Sequence, residues 1–168
     1  MVAMLVAFTV AGTAATAATA CHTASRPPGR PAPPSGTLTT PEARALVEDY
    51  EGRLAAAYAA GDASRLSEFL AGSELRGNAA TIGVLNGRHQ RNIFHVQVDD
   101  VSIASTAKDR VVVALRDHTT EDYFVDASTG ETLNGGLPGP ESQAFTIILD
   151  RNPGNGRWYW TGAQKRPE

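Results

Sequence analysis

Three aspartates, Asp99, Asp100 and Asp117, have the type and placing that acid–base chemistry needs. A carboxylate held in a pocket on a strand can take up or return a proton if a second polar group stands opposite. Asp99-Asp100 interrupts a run of alternating apolar residues, where a bulge would re-aim the strand. Asp117 shares the parity of Val111, Val113 and Leu115, so it belongs to the face those residues bury. The competing reading, a solvated strand end or turn, is the one the sequence favours, and no catalytic residue is assigned.

The histidines carry less. His22 belongs to a Pro-rich stretch, and His89 falls between a helical and a strand pattern. His95 alternates with Phe94 and Val96 and is expected to point away from the core; His118 has the parity of Val112 and Ala114. A favourable register would make His95 and His118 cross-strand neighbours. With no HxH or HExxH spacing, no metal site is assigned. Trp158 and Trp160 flank Tyr159, so the indoles share a face. They read as core or, with Tyr50 and Tyr58 from a helix, as the wall of a pocket for an apolar ligand. The Gly-rich stretch from Asn134 to Gly139 lacks the Gly-Lys-Ser/Thr of a phosphate loop, and no nucleophile-elbow sequence is present. No cofactor is expected.

The elements that must position these residues follow from periodicity. Thr40-Pro41-Glu42 predicts a helix start: a capping hydroxyl, Pro in the first turn and an acid near the positive end. Leu46, Val47, Tyr50, Leu54, Ala57 and Tyr58 then describe one helical face, and Gly61 ends the helix. Asp62 is expected to cap a second short helix with Leu66, Phe69 and Leu70. A third carries Leu75, Ala79 and Ile82. From Ile93 the period becomes two. Strands are expected from Ile93 to Ile103, Arg110 to His118 with an extension through Tyr123–Val125, Gln143 to Leu149 and Arg157 to Thr161. Lys108-Asp109 and Asn152–Gly156 are turns, and Asp126–Gly139 is a long loop or small hairpin. Three helices before an antiparallel sheet of about four to five strands is α+β order.

The front of the chain gives an address. Met1–Ala20 has no charged residue, and Ala18-Thr19-Ala20-Cys21 places small residues at the −3 and −1 positions of a cut before Cys21. It resembles the lipobox of bacterial lipoproteins, departing from it at Ala18, where Leu is typical, and in having no basic residue before Arg26. The resemblance implies a signal over 1–20 and a lipid on Cys21, the only cysteine, which has no disulfide partner. The alternatives are a freely secreted protein and an uncleaved membrane anchor. Arg26–Gly36 is Pro-rich and reads as an extended stem, giving a linker over 21–38 and a domain over 39–168. Cleavage removes no charge, so the net charge of −3 argues against nucleic-acid backbone binding. Arginine far outnumbers lysine, which occurs only at Lys108 and Lys165. Together with the abundant Ala and Gly this suggests a GC-rich, actinobacterial genome.

The succession "LVEDYEGRLAAAYAAGDASRLSEFLAG", "VQVDDVSI", "RVVVAL" and "QAFTIILDRNPGNGRWYWTGA" resembles the nuclear transport factor 2-like superfamily. It is most similar there to the intermembrane-space domain of chloroplast-division proteins and its exported bacterial relatives. The resemblance covers about residues 40–164 and implies a cone-like, cystatin-like roll, a curved sheet around helices. It does not choose an activity. The reading reached is a non-catalytic, membrane-tethered extracytoplasmic domain that binds a protein partner or ligand in the bacterial envelope. Its outer sheet face, with His95, Gln97, Val112, Ala114, Arg116, Thr146, Ile148 and Tyr159, offers a docking patch for a twin domain or another protein. The alternatives are an isomerase- or cyclase-like enzyme acting in the cone, and a carrier of an apolar ligand.

Overall fold

The computed structural model describes residues 37–134 and 142–166. The export segment, Cys21, His22, the Pro-rich stem and most of the Gly-rich stretch lie outside the described residues. Helix α1 (Thr40–Ala60) and helix α2 (Gly72–Gly87) precede five antiparallel strands, β1 (Gln90–Ala107), β2 (Arg110–Asp126), β3 (Thr132–Asn134), β4 (Gln143–Arg151) and β5 (Trp158–Lys165). The sheet runs β1-β2-β4-β5, with β3 paired to the far end of β2.

The start of α1 follows from its sequence. The backbone N–H and the hydroxyl of Thr39 donate to Glu42 at 2.8 and 2.7 Å, so the cap is Thr39, one residue before the expected start. At the far end Gly61 takes the left-handed conformation, φ 65°, and a Cβ there would lie 2.4 Å from the Arg91 guanidinium. Between these stops Ala43, Val47 and Tyr50 are buried against the sheet. The Tyr50 hydroxyl donates to the Trp158 carbonyl across the core, and its ring meets Phe69 with centroids 5.5 Å apart.

The expected second helix is not there. Asp62 accepts the Ser64 N–H in an Asx turn, and only one 3₁₀ turn, Leu66–Glu68, follows. Leu70 then pairs with Trp160 as an isolated bridge: the Trp160 N–H donates to Phe69 and the Ala71 N–H to Trp160. Backbone groups spent on β5 are lost to a helix. The chain thus has two α-helices before the sheet, and α2 is the helix expected third. Ser73 and Glu74 at its start also bond β5, at Thr161 and Ala163. That covers part of an edge strand.

The strands bury alternate residues, and bulges change which ones. On β1, Val98 and Val101 both face the core because Asp99 is an extra residue between the pairs Val98↔Asp117 and Asp100↔Arg116. Further irregularities lie at His95/Val96 and Ile103/Ser105 on β1 and at Ile148/Leu149 on β4. Arg44 of α1 donates to the carbonyls of Val98 and Asp99 at 3.0 and 3.1 Å, tying the helix to the bulge. The core gathers Val111, Val113 and Leu115 from β2, Ile147 and Leu149 from β4, and Trp158 and Trp160 from β5 around the inner stripe of α1.

Tyr50→Phe leaves the ring packing intact and removes the donor to Trp158. Its cost is expected at about 1–2 kcal/mol, read as a lower denaturant midpoint at unchanged slope. Tyr159→Phe, at an exposed bond to Asn155, is expected to move stability by less than about 0.5 kcal/mol.

Candidate functional site

Helical periodicity sets Glu51. It stands four residues after Val47 and three before Leu54, on the stripe α1 turns to the sheet. Strand alternation sets Asp117, two residues beyond Leu115 on the inward face of β2. The two carboxyl groups line one cavity of about 190 Å³, one from the helix and one from the sheet. Val96, Leu115, Phe145, Ile147 and Trp160 make its apolar walls, Thr119 and Gln143 add polar groups, and Ala163 is a lining residue exposed to solvent. A second cavity of about 290 Å³ lies between α1 and β1, lined by Glu48, Gly52, Ala55, His95, Gln97 and Val98. Glu51 and Val96 line both cavities.

The electrostatics of the first cavity are unusual. Asp117 is 7 % exposed, and neither its carboxyl nor that of Glu51 accepts a hydrogen bond from a described residue. Burial, then the charges of Asp117 and Glu74, push the Glu51 carboxyl up to about 7. Burial, then the charge of Asp99, push Asp117 up to about 6, with His118 acting the other way. An apolar chamber with two acids poised near neutrality can hold a proton between them, accept hydrogen bonds from a donor, or seat a cation.

The other singled-out residues are placed differently. Asp99 is solvent-accessible at the bulge; the bond from His118 Nδ1 at 2.8 Å holds its carboxyl below the usual range, and the Ser142 hydroxyl donates to it at 3.1 Å. In a nucleophilic triad the histidine stands between acid and hydroxyl. Here the carboxylate stands between, so Ser142 has no base, and the cluster clamps β1, β2 and the approach to β4. Asp100 is exposed opposite Arg116 and lines neither cavity. The register puts Gln97 opposite His118 and Glu121 opposite His95, so the two histidines are not direct partners. Tyr50 and Trp158 are core, and Tyr58 donates to Asn78 at 2.9 Å away from either cavity. Trp160 lines the first cavity and His95 the second. Among the described residues no group of three or more His, Cys, Asp or Glu is arranged to hold a metal ion.

With the geometry of sheet, helix and cavity in hand, a counterpart exists among solved structures. The intermembrane-space region of the chloroplast protein ARC6 superposes with a TM-score of 0.58 at 14 % identity, covering 78 % of this chain and 98 % of that one. The fold is nuclear transport factor 2-like. A nuclear transport factor 2-like protein of unknown function in nutrient uptake from Rhodospirillum rubrum is a more distant match, with a TM-score of 0.43, 22 % identity and coverage of 71 % and 95 %. No protein-family profile and no curated protein matches the chain. The fold thus places Asp117, one of the three acids singled out in the sequence, on the inner face of the sheet and in one cavity with Glu51. Glu51 was not nominated, although the spacing Val47-Glu51-Leu54 already put it on the buried stripe.

Both acids hold their protons more tightly in the folded chain than in an unfolded one. Each therefore favours folding below its ordinary pKa and disfavours it increasingly as pH climbs toward 7. Glu51→Gln and Asp117→Asn are each expected to raise stability by about 1–3 kcal/mol at pH 8 and to leave it unchanged at pH 4. Denaturant unfolding of the three proteins at both pH values checks this.

Proposed function

We propose that this is a non-catalytic binding domain, tethered outside a bacterial cell, that takes a ligand or a partner's side chain into its cone. The observation that carries the reading is the first cavity: buried Asp117, with no hydrogen bond to its carboxyl from a described residue, and Glu51 line one mainly apolar chamber whose rim includes the solvent-exposed Ala163. Sites that bind small groups combine a mainly apolar lining with a few convergent polar atoms. A carrier of a wholly apolar ligand fits less well, because such a ligand would strip water from two carboxyl groups and give them no bond in return. The tether rests on the uncharged Met1–Ala20 stretch, Cys21 and the Pro-rich run after it.

One observation favours the isomerase- or cyclase-like alternative: carboxyl groups near 6 and 7 are in the range a general base needs at neutral pH. A bound carbon acid recovered from deuterated buffer separates the two. Uptake of deuterium at carbon means catalysis; recovery unchanged means binding.

A small-fragment screen by NMR is expected to give hits that shift the Trp160 indole and the Gln143 side-chain amide. Ala163→Phe, which sets a ring at that rim, is expected to weaken those hits at least ten-fold. Hits that collect instead on Val112, Ala114 and Ile148 would transfer the binding role to the outer sheet face. Mass spectrometry of the protein recovered from a bacterial membrane is expected to find diacylglycerol on Cys21, and Cys21→Ser to release the chain to the soluble fraction.

A further inference from the structure

We infer that the occupant of the first cavity is a primary ammonium group on a short apolar chain. The charge sits between Glu51 and Asp117 and the chain lies against Phe145, Ile147 and Trp160; this rests on reading the cavity as a binding site.

The two carboxyl groups come from facing elements, helix α1 and strand β2, and line one chamber. Neither is spent on a bond to a described residue, and Asp117 is 7 % exposed, so its acceptor capacity is aimed at whatever enters. The surroundings select for positive charge. Glu74, whose Oε1 accepts the Ala163 N–H, bears on Glu51 together with Asp117, and Glu48 lines the adjoining cavity. The remaining titratable neighbours are Asp99 and His118 behind Asp117 on the solvent side of the sheet, and His95 in the second cavity.

The kind of cation follows from the donor set. A divalent metal takes six or more oxygens, or a compact set of three or four ligands, and no such group exists among the described residues. An ammonium has three donors on a compact point charge and can divide them between two carboxylates, one from the helix and one from the sheet. A guanidinium has a planar fork better matched to one carboxylate approached edge-on. Size sets the rest. At about 190 Å³ the chamber lies below the range for drug-sized ligands, and its walls beyond the acids are aliphatic and aromatic. A chain of a few methylenes fills such a space and keeps its ammonium at the acids.

The experiment uses the whole domain and four probes followed by NMR at pH 8: n-butylammonium, n-butanol, butyrate and Nα-acetyl-lysine methylamide. Butylammonium is expected to bind at least ten-fold tighter than butanol, to shift Trp160 and Gln143, and to bind at least ten-fold more weakly at pH 5. Glu51→Gln and Asp117→Asn are each expected to abolish that preference and leave the binding of butanol. Both variants are isosteric and lose a buried charge, so both fold. The lysine derivative distinguishes the source: a free amine binds best without the peptide groups, and a partner's lysine binds best with them. Butanol binding as tightly as butylammonium at the same residues overturns the ammonium assignment and leaves the cavity a binding site. Preference for butyrate overturns the assignment outright. No probe at Trp160 or Gln143 overturns both the assignment and the cavity reading beneath it.

Discussion

A curved sheet that closes over a helix must bury whatever the inner stripe of that helix carries. Here the stripe of α1 carries Val47 and Tyr50 and, beside them, Glu51. Everything that positions the site follows from that closure. Tyr50 reaches through the core to the backbone of β5, and Arg44 holds the carbonyls of the β1 bulge. The helix is thereby fixed against both ends of the sheet order, with Glu51 one residue on from one of these anchors. The cavity is the volume the closure leaves unfilled where β2 presents an aspartate instead of another valine or leucine.

That arrangement works against stability. Two acids share an apolar chamber without a hydrogen bond from any described residue, and a glutamine or asparagine of the same shape would sit there at less cost. Structural ion-pair networks elsewhere in the molecule show the contrast. Arg110 and Asp150 meet across strands at 2.6 and 2.9 Å, and Arg53 stacks over Phe69 while bonding Glu68 at 2.8 Å. In those pairs each charge is answered. In the cavity it is not, and strain of that kind is characteristic of groups kept for what they do rather than for what they hold together.

The fold was legible in the sequence wherever one strong local rule acted alone. Gly61 stopped α1, the two-residue turn at Lys108-Asp109 closed the longest hairpin, and the parity of Val111, Val113 and Leu115 told which way Asp117 would point. It failed where two rules competed. Asp62 can cap a helix or close an Asx turn, and the pairing of Leu70 with Trp160, ninety positions apart in sequence, decided for the turn. The histidine pairing was illegible because irregularities in β1 shift its register, and residue patterns do not count extra residues. Glu51 was missed for another reason. Its position on the buried stripe was plain, but a charged residue there reads as the edge of the stripe until the opposing wall is known.

The bond from His118 to Asp99 has a consequence beyond bracing the strands. His118 and Asp117 are successive residues on β2, so one faces solvent while the other faces the chamber, and the Asp99 and His118 charges both bear on the buried acid. The sheet is therefore an electrical membrane one backbone thick. The charge carried by the outer imidazole reaches the inner acid through the sheet, in opposition to burial and to the Asp99 charge and weaker than either.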